Sequence, residues 1–122
     1  MLALKSVATL TADVGTLIFD EVDTGIGGVT ATGLGERLAR LASRTQIVCI
    51  THLAQVVAFA DRHFAIAKVS DPQAATTETV VRRVEGEDRV DELCRMLGAS
   101  ASDPAARAHA ESLLARATEA RE

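Results

Sequence analysis

Two short apolar runs constrain this chain more than any other feature. TLIF at 16–19 and QIVCI at 46–50 have the length and residue types of strands buried on both faces. Between them, Leu34, Leu38 and Leu41 recur at spacings of four and three, which predicts a helix over 30–42. A strand, a helical crossover and a second strand in one sheet run parallel, with a right-handed connection. Parallel strands end on one edge, and ligands of open α/β sheets bind outside that edge. The first run ends on Asp20 and Glu21, the second on Thr51 and His52. Two carboxylates and an imidazole are therefore expected at one rim. Adjacent like charges there call for a positive partner.

The remaining pattern completes a single α/β domain. Residues 1–12 are expected to be helical, with Leu4, Val7 and Ala8 on one face, and Asp13 to Gly15 break that pattern. Leu53, Val56, Val57 and Ala60 fit one face of a short helix. HFAIAKV at 63–69 and TTETVVRRV at 76–84 read as an antiparallel hairpin around SDPQAAT. Val90, Leu93, Cys94 and Leu97 predict a helix over 87–97, with Gly98 as its stop. Asp103 as N-cap and Pro104 at the first position open a last helix over 104–119. Its buried side should carry Ala106, Ala110, Leu113, Leu114 and Ala117.

Composition excludes several function classes. With three Phe and no Trp or Tyr, the chain lacks the aromatic platforms of single-strand nucleic-acid binders, and its core must be aliphatic. A net charge of −4 and scattered basic residues argue against a broad DNA-binding face. The adjacent pair Arg82–Arg83 reads as a solvated strand end. Cys49 and Cys94 read as buried free thiols of a reducing cytosol. Neither a signal peptide nor a membrane-length apolar run is present, so a cytoplasmic chain is expected.

The chemistry that suits the rim is nucleoside triphosphate hydrolysis. An apolar strand ending in Asp is the Walker B pattern, whose carboxylate holds Mg²⁺ against the phosphates. A following Glu can orient or deprotonate the attacking water. A histidine reaching the γ-phosphate can stabilise developing charge. Rivals are weaker: His63 and His109 have no metal-ligand spacing to His52, and no nucleophile motif is present. His109 reads as a surface residue.

LIFDEVDTGIGG at 17–28, QIVCITHLAQVVAFADRHFAIAK at 46–68 and DELCRMLG at 91–98 together resemble the C-terminal end of the RecN family, bacterial double-strand-break repair ATPases of the SMC and ABC class. The resemblance covers nearly the whole chain. It implies that residues 1–122 are part of an ABC/SMC-type ATPase head, with parallel strands, a hairpin and two C-terminal helices, working with Mg²⁺ and ATP in recombinational repair. It further implies that Asp20 is the Walker B magnesium ligand and Glu21 the catalytic glutamate. Asp23, Thr24, Gly25, Ile26 and Gly27 match the D-loop, which in this class lies across the interface between two heads. His52 matches the switch histidine. Gln55 matches a family glutamine without an assigned role, and Ala54 departs from a proline often found there.

The chain holds no G-x-x-x-x-G-K-[ST] P-loop and no LSGGE-type signature. The implied partners are thus the N-terminal half of the head, which carries the P-loop, and a second head in a homodimer. DNA would be reached through the parent protein. In this class the P-loop strand lies between the strands corresponding to 46–51 and 63–69, so a gap or an unnatural closure is expected there. Two other readings stand beside this one: a non-catalytic module that docks on a partner head, and the tail of another SMC-like ATPase.

Overall fold

The computed structural model describes residues 15–20 and 28–121. The expected helix over 1–12, Glu21 and the Asp23–Gly27 loop lie outside the described residues. The order is β1 (Thr16–Asp20), α1 (Gly28–Ala42), β2 (Gln46–Ile50), α2 (Ala54–Val57), β3 (His63–Asp71), β4 (Thr76–Val84), α3 (Gly86–Met96) and α4 (Pro104–Glu119). Each expected element within these residues is present, with ends moved by no more than three residues.

β1 and β2 pair in parallel, Thr16 opposite Gln46 through Asp20 opposite Ile50. β3 and β4 form a separate antiparallel hairpin. The gap expected between 46–51 and 63–69 is present: β2 and β3 belong to different sheets. The hairpin turn is held by the Asp71 carboxylate, which accepts from the Gln73 N–H at 2.9 Å.

The expectation that β1 and β2 are buried on both faces is wrong. β1 alternates, with Leu17 and Phe19 in the core and Ile18 68% exposed. Val48 and Ile50 on β2 are exposed likewise. α1 covers one face, where Leu17, Phe19, Ala31 and Leu34 pack with Val56, and the described residues bring no second layer to the other. Cys49 is also only half-buried, whereas Cys94 is fully enclosed; neither is in a disulfide.

A second core is helical. Val90, Leu93 and Cys94 of α3 meet Ala106 and Ala110 of α4, with Ala54 of α2 in the same cluster. Helix termini follow the local chemistry. Gly98 adopts φ +78° just past α3, a left-handed stop. Asp103 caps α4 by accepting from the Ala105 N–H at 3.0 Å. Arg107 of α4 bonds Asp91 at 2.6 Å and pairs with Glu87, tying α4 to α3.

α1 approaches α2 closely at Gly35. A Cβ there would run into the Phe59 ring and lie 3.1 Å from the Gln55 carbonyl oxygen, whereas one at Gly33 would meet nothing within 4 Å. The two glycines should therefore respond oppositely. Gly35→Ala should destabilise by about 2 kcal/mol through overpacking. Gly33→Ala should stabilise by up to about 1 kcal/mol through helix propensity. Urea unfolding midpoints of the two variants check the signs.

His63, at the start of β3, is the buried polar residue of the core, 6% exposed. Burial, then the charge of Arg89, hold its pKa below the ordinary histidine value; Glu92 opposes this and Arg95 adds to it. The folded state therefore binds a proton less readily than the unfolded chain. Stability should be fully present above the unfolded pKa of about 6.5 and decline as pH falls below it. In chloride buffer the urea midpoint should drop between about pH 7 and pH 5, and by less in His63→Gln.

Candidate functional site

The β1–β2 register sets the rim. Asp20, the last residue of β1, is exposed and lies opposite Ile50, the last residue of β2. The chain leaves β2 through Thr51, His52 and Leu53. The Thr51 hydroxyl accepts from the Leu53 N–H at 3.1 Å, a side-chain turn that fixes the bend through His52. His52 is exposed at the same strand edge as Asp20. The structure thus brings Asp20 and His52 to one rim, while Glu21 and Asp23–Gly27 fall outside the described residues.

Among the described residues no group of three or more His, Cys, Asp or Glu side chains could hold a metal ion. Asp20 by itself fits only the shared mode of binding, in which Mg²⁺ takes one or two carboxylates and completes its shell with phosphates and water.

Behind His52, α2 is a single turn, too short to be stable by itself. It is held at its far end by two arginines. Arg89 of α3 donates through Nη2 to the carbonyls of Val57, Ala58 and Ala60, at 3.2, 3.3 and 2.9 Å. Arg121 donates to the Phe59 carbonyl and pairs with Asp61 at 2.7 Å. The Val57 carbonyl also accepts from the Ala60 N–H at 2.9 Å, and the guanidiniums add cationic donors to the carbonyls just beyond the turn. Burial, then the nearby charge of Arg121, lower the Arg89 pKa from its ordinary value, with Asp61 opposing.

Sequence pattern gave no hint of Arg89, Arg121 or His63. Arg89 falls between Asp88 and Val90 in a polar helix, and its partners lie about thirty residues away in a different element. Arg83 behaves as expected of a solvated strand end, paired with Glu85 at 2.7 Å, and Arg82 faces Asp88 at 3.7 Å. His109 is exposed, as expected.

No protein-family model matches the chain. Over 114 residues, 93% of the chain, it is 50% identical to DNA repair protein RecN of Streptomyces coelicolor and 47% identical to DNA repair protein RecN of Treponema pallidum. Over 115 residues it is 43% identical to DNA repair protein RecN of Deinococcus radiodurans. The chain spans 20% of the length of each of these relatives. Among solved structures, it is similar in fold to a chain described under the structural biochemistry of ATP-driven dimerization and DNA-stimulated activation of SMC ATPases. That similarity has a TM-score of 0.56 at 15% identity, covering 70% of this chain and 50% of the other. The chain is thus similar in sequence, over nearly its whole length, to a stretch about one fifth the length of proteins named DNA repair protein RecN, and the solved structure shows a similar fold.

Proposed function

We propose that the chain is the Walker B, D-loop and switch-histidine part of a RecN-type ATPase head, cytoplasmic and acting in recombinational DNA repair. The observation that carries this reading is the parallel register that ends β1 and β2 on one edge, with Asp20 on one strand and His52 two residues beyond the other. The relatives named DNA repair protein RecN support it.

In this reading Asp20 is the protein's ligand to Mg²⁺, and its exposure at the strand end leaves the carboxylate open for that role. Held by Asp20 together with ATP, Mg²⁺ would supply positive charge that offsets charge building up during phosphoryl transfer. Glu21, next in sequence, orients the attacking water and takes its proton. His52, on the turn fixed by Thr51, donates toward the terminal phosphate. Asp23, Thr24, Gly25, Ile26 and Gly27 face a second head in a homodimer.

The phosphate cradle must come from elsewhere, because the chain has no P-loop. The N-terminal half of the head is the partner that supplies it. The gap between β2 and β3 and the uncovered faces of both sheets fit such a partner. Ile18 on β1 and Phe64 and Ile66 on β3 are more than half exposed. A sheet edge and face of this kind, left open, would invite aggregation. DNA is engaged by the parent protein rather than by this acidic segment.

Glu21→Gln in the complete RecN-type protein should abolish ATP turnover while leaving ATP binding within about twofold. Normal turnover would remove the role given to Glu21. The 122-residue chain by itself should show no tight Mg-ATP binding by calorimetry. Micromolar affinity would overturn the claim that the phosphate cradle lies outside it, and would favour a self-sufficient nucleotide site.

A further inference from the structure

A series of hydrogen bonds runs from the turn around His52 to a guanidinium on α3. The Thr51 hydroxyl accepts from the Leu53 N–H at 3.1 Å. The Leu53 carbonyl accepts from the Val57 N–H, also at 3.1 Å. The Val57 carbonyl accepts from Nη2 of Arg89 at 3.2 Å. Peptide groups joined in this way polarise and orient one another. The first residue of the series precedes His52 and the next follows it, so the series brackets the imidazole-bearing residue.

Little else sets the direction of this stretch. Leu53 is the N-cap of α2 and makes no side-chain cap bond. Ala54 and Val56 are buried, which holds the turn against the two cores. Apolar burial is non-directional, however, and does not fix the angle of a peptide plane. Arg89 supplies that direction. It precedes Val90 and lies one turn before Leu93 on α3, both buried in the helical core, so its backbone is anchored. The same Nη2 also donates to the carbonyls of Ala58 and Ala60, at 3.3 and 2.9 Å, so three acceptors locate one nitrogen. Its Nε is buried without a hydrogen-bond partner, a cost to stability. Packing by itself would be served as well by an apolar side chain. What the guanidinium adds is orientation.

We propose that Arg89 is a positioning residue for His52, fixing the turn from which the imidazole is aimed at the terminal phosphate. The proposal rests on the ATPase reading of the Asp20–His52 rim. Arg89 touches no substrate; it acts through Val57 and Leu53. A reacting group displaced by about 1 Å can lower a rate about a hundredfold, so a loosened turn should cost about tenfold. The loss should fall on kcat, because His52 acts on charge that develops during transfer, and should leave the KM for ATP within about twofold.

The test is a double-mutant cycle on ATP turnover in the complete RecN-type protein, pairing Arg89→Met with His52→Ala. With His52 present, Arg89→Met should lower kcat about tenfold. In the His52→Ala background the same change should cost less than about twofold, because the group it positions is gone. Arg89→Lys keeps the charge and part of the donor set, and should restore kcat to within about threefold of the parent. It also replaces Arg89→Met in the cycle if that variant does not fold; its smaller loss should likewise vanish in the His52→Ala background. Equal losses in both backgrounds would mean a purely structural arginine and would overturn the proposal, as would an unchanged kcat. Normal turnover in His52→Ala by itself would overturn the role given to His52 and the proposal with it. A lowered turnover there, beside an independent Arg89 effect, would overturn the proposal and leave the reading of the rim standing.

Discussion

The six residues from Ala54 to Phe59 hold the molecule together. Val56 completes the sheet core with Leu17, Phe19 and Leu34. Ala54 sits among Val90, Leu93 and Ala110 in the helical core. Ala58 and Phe59 pack on Ala117 of α4. A single helical turn thus touches every core cluster, yet one turn has almost no stability of its own. What fixes it is the Arg89 guanidinium across its last carbonyls, with Arg121 on the next. Each carbonyl left bare and buried would cost about 1–3 kcal/mol, so one side chain resolves a problem shared by several backbone groups.

That arrangement explains how a short parallel pair can hold Asp20 and His52 at one edge. β1 and β2 have five residues each and one covered face. Their rim is positioned because the chain beyond His52 enters a clamped turn. The strength of the clamp lies in geometry rather than charge pairing: three acceptors converge on one nitrogen, and Arg121 with Asp61 closes the next step.

Local pattern made most of the fold legible. Leucines at helical spacing marked α1, the Val90–Leu97 series marked α3, and Asp103 with Pro104 fixed the start of α4 nearly to the residue. These signals are readable because capping and periodicity act within a few residues. The error over β1 and β2 has the opposite origin. An apolar run records what a strand can bury, and Ile18, Val48 and Ile50 remain apolar whether or not a second layer covers them. The part of the rim within the described residues was legible through Asp20 at the end of one strand and His52 after the next. Arg89 and His63 were not, because their significance lies in contacts between elements far apart in the chain.

Arg89 also stands between two environments that make opposite demands on it. Through Nη2 it serves carbonyls at the end of α2, while its Nε is buried without a hydrogen-bond partner. Carbonyl oxygens satisfy the hydrogen bonds of a guanidinium but do not neutralise it, and a half-buried cation next to Arg121 remains costly. At such a position arginine has an advantage that lysine or a neutral donor would not give. Its planar fork offers one such advantage, since it can cap the turn with one nitrogen while leaving another to donate in a different direction. Substitution at Arg89 must therefore disturb the turn behind His52.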